Sequence, residues 1–231
     1  MTPPNTPRAS NLYRIASFDR AVDILTSRKL YFAHPSTWDD PYEWVLKHDR
    51  AKAIFAQCWC RKALSDAMWR IYSPNGLGVR VGTTRQRLHT ALSAAKESRK
   101  INFKIQNVEY LYQEELDDEL QRAKDNLAAN YTFANAVEPL FLKRKAFDHE
   151  KEARVVVYDP TCLENGNTKG ITIDIEPFDV ITSIWIDPRA PAAYVDAYKF
   201  YLKKKLGFPG TVEKSRLYLV PNQLSIEQGE S

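Results

Sequence analysis

Short apolar runs broken by polar turns dominate this chain, and their periods alternate between two and three-to-four residues. Leu12-Tyr13-Arg14-Ile15, Leu30-Tyr31-Phe32-Ala33 and Phe55–Trp59 read as strands. Between the first two, Ser17 is placed to cap a helix carrying Ala21, Ile24 and Leu25. Leu64, Met68, Trp69 and Tyr72 recur at helical spacing and predict a helix over 62–72. The turn-formers of 73–78 then lead into a strand at Val79-Arg80-Val81. A polar helix is expected over 84–98, a strand at 108–112, a long helix over 114–133 and a further helix over 134–145. Beyond a loop at 163–170, strands are expected at 171–175 and 180–186. A helix opens at Pro191 and stops at Gly207, and a last strand covers 215–220. Single strands between helices, with consecutive strands near the C-terminus, give an α+β pattern rather than a regular βαβ repeat. The expected architecture is a single domain over 11–221 with a mixed or mainly antiparallel sheet core flanked by helices. Flexible tails are expected at 1–10 and 222–231.

One strand carries more than the pattern explains. In Glu150-Lys151-Glu152-Ala153-Arg154-Val155-Val156-Val157, alternate residues of an extended chain point the same way. Ala153, Val155 and Val157 then form an apolar face, which accounts for the strand. Glu150, Glu152 and Arg154 share the opposite face. Two positioned carboxylates serve acid/base work or stabilise a developing positive charge. The alternative for the same residues is a solvated face with Glu–Arg pairing.

Composition narrows the class. At 231 residues, with 44% hydrophobic and 12% aromatic residues, the chain can bury one substantial core and is not of the disordered type. No apolar run approaches the roughly 20 residues needed to span a bilayer. Residues 1–8 carry no hydrophobic signal core, so a cytoplasmic location is expected. The three cysteines, Cys58, Cys60 and Cys162, cannot build a disulfide framework, and Cys58-Trp59-Cys60 lacks the Cys-x-x-Cys spacing of zinc and redox sites. His34, His48, His89 and His149 form no metal-spaced cluster, and no metal is expected. The net charge of +4 is mildly basic. Two basic clusters, Lys143-Arg144-Lys145 and Lys203-Lys204-Lys205, read as solvated helix ends. No phosphate-binding glycine loop is present among the 8 glycines.

Four segments together carry a resemblance. They are Leu12-Tyr13-Arg14; the run from Leu30-Tyr31-Phe32 into Pro35-Ser36-Thr37-Trp38-Asp39-Asp40-Pro41-Tyr42-Glu43; Met68-Trp69 followed by Gly78-Val79-Arg80-Val81; and Glu150-Lys151-Glu152-Ala153-Arg154. Their order and spacing resemble the bacterial domain-of-unknown-function family 2971 (DUF2971), over about residues 12–220. A second resemblance is to ADP-ribosyltransferases of the Arg–Ser–Glu type, which cleave NAD between nicotinamide and ribose. It rests on Arg14 in the first strand, Ser36-Thr37 after the second, and Glu-x-Glu on a later one.

This second resemblance implies an ADP-ribosyltransferase-like fold, NAD as substrate, and a role for each matching residue. Arg14 would hold the phosphates or ribose of NAD. Ser36 and Thr37 would hydrogen-bond the pocket and orient the catalytic acid. Glu152 would accept from the ribose 2′-hydroxyl and stabilise the cation, and Glu150 would orient or deprotonate an acceptor. Tyr13, Tyr31 or Trp38 would stack on nicotinamide. Glu43 is a competing carboxylate. Here Trp38 follows Ser36-Thr37, so the usual Ser-Thr-Ser of such enzymes is incomplete. The implied biology is a bacterial toxin or phage-defence effector with a protein or nucleic-acid acceptor, a cognate antitoxin or immunity partner, and no membrane. Two other readings stay open. One is a non-catalytic nucleic-acid- or protein-binding module using the two basic clusters. The other is a metal-dependent nuclease using Asp39, Asp40, Glu150 and Glu152.

Overall fold

In a computed structural model, residues 11–45, 47–164 and 168–220 are described. Both expected tails, at 1–10 and 222–231, lie outside the described residues. The elements in chain order are β1 (Asn11–Ala16), α1 (Phe18–Ser27), β2 (Lys29–Ala33), β3 (Ile54–Cys60), α2 (Asp66–Tyr72), β4 (Val79–Thr84), α3 (Arg85–Arg99), β5 (Asn102–Asn107), β6 (Glu109–Leu111), α4 (Gln113–Ala129), α5 (Phe133–Val137), β7 (Leu142–Arg144), β8 (Glu152–Tyr158), β9 (Gly170–Asp174), α6 (Pro177–Val180), β10 (Ser183–Ile186), α7 (Ala192–Phe200) and β11 (Thr211–Lys214).

Nine strands form one sheet in the path β11-β10-β4-β1-β3-β2-β9, with β8 branching from the far edge of β3 and β5 beyond it. All its pairings are antiparallel except β10 with β11. The mainly antiparallel α+β expectation is what the strands show. Ala153, Val155 and Val157 are fully buried in the larger core, as their alternation predicts. On the other side of the same strand, Val156 joins Ile54, Ala56, Leu140 and Phe141 in a smaller core. Among the described residues, no helix is long and apolar enough to cross a membrane.

The sheet is not continuous across its middle. β3 pairs with β8 along its full length, Ile54↔Tyr158 through Cys60↔Glu152. On its other edge it meets β1 only at Tyr13↔Cys60 and β2 only at Ala33↔Ala56. β1 and β2 are instead fully paired outward, with β4 and β9. The edge of β3 around Cys58 is therefore open, and side chains fill the gap. Arg14 Nη1 donates to Cys58 O at 3.1 Å, and Gln57 Nε2 donates to Tyr31 O at 2.9 Å. This split positions the site.

Several expectations change. The helix expected over 134–145 ends early: α5 stops at Val137, Pro139 sits in a 3-10 turn, and Leu142–Arg144 is a strand beside β6. Proline inside a helix removes a donor and clashes with the preceding turn. The Glu150 strand begins two residues late. Glu150 closes a 3-10 turn over Lys145–Glu150, and Lys151 adopts a left-handed backbone (φ 45°) before β8 starts at Glu152. The last strand lies at Thr211–Lys214, where it pairs parallel to β10, and Arg216–Tyr218 is a 3-10 turn instead. β5 has no counterpart in the apolar pattern because only Phe103 and Ile105 of its six residues are hydrophobic.

Candidate active site

The two acids of the Glu-x-Glu motif are buried, and so is the arginine after them. Glu150 is 6% exposed, Glu152 5% and Arg154 0%, so the solvated-face reading of this strand is overturned. Two further charges from distant segments complete the cluster. Glu43, from the 3-10 turn Pro41–Trp44, and Lys143, from β7, are equally buried. Arg154 works as a three-way clamp. Its Nε donates to Glu152 at 2.7 Å, its Nη1 to Leu140 O at 2.7 Å, and its Nη2 to Glu43. Lys143 Nζ reaches Glu43 at 3.1 Å, Glu152 at 3.3 Å, and Glu150. Trp38 covers the Arg154 guanidinium, 4.7 Å from ring centre to Cζ. Two tyrosines close the edges: Tyr72 Oη donates to Glu150 at 3.1 Å, and Tyr110 Oη accepts from Glu152 N at 2.7 Å.

Glu43, Glu150 and Glu152 face two cations, Lys143 and Arg154, so the cluster carries one negative charge in excess. The titration of the pair reflects this. Burial alone would push the Glu152 carboxyl up, but Arg154 and Lys143 outweigh it and hold Glu152 below its ordinary value. Burial wins at Glu150, whose carboxyl is raised despite Lys143. Two adjacent carboxylates with pKa values pushed apart are an acid/base arrangement. The Cys58 thiol, pushed up to about 12 by burial and then by Glu152, stays protonated and is not a nucleophile.

Glu152 also lines a cavity of ≈ 120 Å³ between the sheet and α2, together with Tyr13, Arg14, Cys58, Trp69 and Arg80. Arg14, Ile15 and Tyr72 border both this cavity and a larger groove of ≈ 760 Å³ that runs over the sheet split. The ionisable lining of the groove is Arg14, Arg20 and Lys29 against Asp23, together with Tyr31 and Tyr72. The small chamber has room for one flat ring. The groove beside it is cationic and open. Burial lowers the Arg14 pKa from its very high ordinary value, which leaves the guanidinium charged.

The expected residues therefore separate into two groups. Tyr13, Arg14 and Glu152 meet at the cavity, Tyr31 lies in the adjoining groove, and Glu150 reaches the same carboxylate cluster from its turn. Ser36 and Thr37 do not join them. They are exposed and line a separate depression with His34, Trp44 and Lys52. The hydroxyl of Ser36 lies 2.7 Å from His34 Nδ1, and Thr37 Oγ1 donates to His34 O at 2.8 Å. Trp38 packs on Arg154 rather than lining the cavity. The physical reason is local: Pro35 turns the chain sharply after β2 and carries both hydroxyls away from the split. Ser36→Ala should cost no more than about 1 kcal/mol of stability. It should leave any activity centred on Glu152 unchanged, which a side-by-side assay with the parent protein checks.

The structure also reassigns two other readings. Lys143 is no solvated helix end. Its neighbour Arg144 is paired with Asp40 at 2.9 Å, which removes one of the two basic clusters from any nucleic-acid surface. Lys203, Lys204 and Lys205 remain exposed on the last turn of the C-terminal helix. For the nuclease reading, the Lys143 ammonium occupies the space between Glu150 and Glu152 where a metal would bind, and Asp40 is spent on Arg144. Sequence reasoning did not find Lys143, Tyr72, Tyr110 or Arg80 as members of the site. Arg80 carried one faint signal, a charged residue between the apolar Val79 and Val81.

A search of curated proteins finds no sequence match. Among solved structures, the chain is similar to Thermus sp. 2.9 DarT in complex with NAD+ (15% identity, TM-score 0.41), over 92% of this chain and 98% of that one. It is similar at 14% identity, TM-score 0.44, to Thermus sp. 2.9 DarT in complex with ADP-ribosylated ssDNA, over 91% of this chain and 96% of that one. Residues 68–155, a segment that includes Met68-Trp69 and the Glu150–Arg154 motif, match the sequence model of the family described as "Protein of unknown function (DUF2971)".

Proposed function

We propose that this protein cleaves the nicotinamide–ribose bond of NAD, as an ADP-ribosyltransferase or an NAD glycohydrolase. One observation carries the reading. An ionised, buried Glu152 sits at the wall of a ring-sized aromatic chamber that opens onto a cationic groove. NAD has matching parts: a flat cationic ring, a ribose next to it and a pyrophosphate beyond. The ring enters the chamber past Tyr13. The pyrophosphate lies in the groove against Arg14, with Arg20 and Lys29 adding to the field.

Cleavage breaks the C1′–N bond. The bonding pair leaves with nicotinamide, which becomes neutral, and the positive charge passes to the ribose as an oxocarbenium ion. A fixed carboxylate stabilises that charge more than it stabilises the ground state, which is what lowers a barrier. Glu152 is pre-ionised and held in orientation by Arg154, so it needs no reorganisation during the reaction. Glu150, with its raised pKa, takes the proton of the incoming nucleophile, which is water or an acceptor hydroxyl or amine. NAD loss or macromolecular ADP-ribosylation harms the cell that performs it. We therefore place the activity in a toxin or defence effector restrained by an immunity partner.

The test is nicotinamide release from NAD by the wild-type protein beside Glu152→Gln. The pH profile adds a second check. Glu150 must be ionised to accept a proton and its pKa is raised, so the rate should climb with pH through a midpoint above the ordinary glutamate value. Glu152, whose pKa is depressed, should add no limb in that range. Glu150→Gln should remove the acid limb and lower the plateau. A profile whose acid limb survives in Glu150→Gln assigns the base elsewhere.

A further inference from the structure

The chamber has a second charged wall that the reaction above does not use. Arg80, on β4, is 6% exposed and lines the cavity. It makes no ion pair or hydrogen bond among the described residues. Its guanidinium lies instead among aromatic rings, 4.9 Å from Tyr13, 5.9 Å from Trp69 and 5.8 Å from Trp185. Burial lowers its pKa from the ordinary arginine value, although the group stays charged. The Nε of Arg80 and the indole Nε1 of Trp69 are both fully enclosed and meet no acceptor. A buried guanidinium with no carboxylate or carbonyl partner is uncommon, because an unpaired buried donor costs free energy. Elsewhere in the site the donors of Arg154 and Lys143 find carboxylate or carbonyl partners.

Register places this wall opposite the acids. Arg80 pairs with Ile15 across β4 and β1, while Glu152 pairs with Cys60 across β8 and β3. The strands run β8, β3, β1, β4 across the sheet, so the carboxylate wall and the guanidinium wall lie three strands apart on either side of the chamber floor. α2 roofs it with Met68, Trp69 and Tyr72. A ligand that suits both walls is a flat ring with a positive centre at one end and an oxygen acceptor at the other.

We propose that Arg80 forms the oxygen-reading wall of the ring chamber and is the specificity-determining residue for the ring's carbonyl substituent. This rests on the NAD reading. The carboxamide oxygen of nicotinamide would accept from the Arg80 guanidinium. An unpaired guanidinium should favour a carboxylate in the same place still more strongly, through a charge-assisted, two-pronged contact. Arg80 is a binding residue in this scheme and makes no covalent bond.

The experiment measures binding of free nicotinamide and free nicotinic acid by calorimetry, alongside nicotinamide release from NAD. The proteins are wild type and Arg80→Met. Wild type should bind nicotinic acid more tightly than nicotinamide. Arg80→Met should erase that preference, with nicotinic acid losing about tenfold or more. Unfolding separates recognition from support. The aromatic contacts of Arg80 offset the cost of burying a cation without a carboxylate, so Arg80→Met should unfold at nearly the same temperature as wild type. A large fall in unfolding temperature would make Arg80 a structural residue and overturn the proposal. So would an unchanged preference in a folded Arg80→Met protein that still releases nicotinamide from NAD. A wild type that binds neither ring and releases no nicotinamide would overturn the NAD reading itself.

Discussion

Glu152→Gln is expected to lower nicotinamide release from NAD by about 10²–10³-fold or more, the range for losing one preorganised electrostatic stabiliser. The substitution keeps the shape, and its amide oxygen still accepts from Arg154 Nε. What it removes is the charge. The parent cluster holds three carboxylates against Lys143 and Arg154; the variant holds two against two. The balanced buried charge offsets part of the stability lost with an ionised carboxylate that the fold favours, so the variant should remain folded with an unfolding temperature modestly below that of wild type. That separation of activity from stability makes the result interpretable. A folded Glu152→Gln that releases nicotinamide at the wild-type rate would end the enzyme reading at this site. The measurement is a nicotinamide assay at saturating NAD, paired with a thermal melt of the same preparation.

Arg154→Met should be the most destabilising single change in the site, by about 3–5 kcal/mol, because it strips a buried charge network of one partner. Arg154 is fully buried and touches three segments at once: β8 through Glu152, the Pro41–Trp44 turn through Glu43, and the Glu138–Phe141 turn through Leu140 O. Its removal leaves Glu43, Glu150 and Glu152 with Lys143 alone, two negative charges in excess. Trp38 loses the cation beneath it as well. Arg154→Lys should not restore stability, since one ammonium cannot reproduce a fork aimed at three acceptors. Denaturant unfolding of the two variants beside wild type tests both statements. A loss below about 1 kcal/mol for Arg154→Met would mean that the cluster rehydrates when opened.

The effect should also depend on pH. Glu152 is depressed in the fold, so its contribution to stability is present above its unfolded value and fades as pH falls through the folded one. In Arg154→Met that acid-side loss should begin at higher pH, because the partner that held Glu152 down is gone.

Much of this was written in local pattern. The alternation of Ala153, Val155 and Val157 against Glu152 and Arg154 located β8 and oriented its faces, since the period of a strand is a backbone property. The spacing of Met68, Trp69 and Tyr72 located α2, the roof of the chamber. Glu152 was legible as a candidate because two acids and an arginine share one face of an otherwise apolar strand, and Arg14 only through the resemblance to Arg–Ser–Glu enzymes. β7 was not legible, because Pro139 and pairing with β6 override a stretch that reads as helix. Nor was the true place of Glu150. It lies off the strand, and the left-handed turn at Lys151 swings its carboxylate back beside Glu152.

By itself, then, the sequence determined most of the secondary elements, the α+β class and the identity of the Glu-x-Glu-x-Arg strand, all set by short-range periodicity and turn chemistry. Only the tertiary structure decided whether those acids face water or protein. Burial and ion pairing depend on residues 9 to 111 positions away, such as Lys143 and Glu43, whose approach no local period encodes. The same holds for the split between β1 and β2, which exists because each strand finds its full partner on the outer side and leaves the edge of β3 open. Ser36 and Glu152 look equivalent as sequence candidates; the chain's path after Pro35 sends one to a surface depression and leaves the other in the chamber.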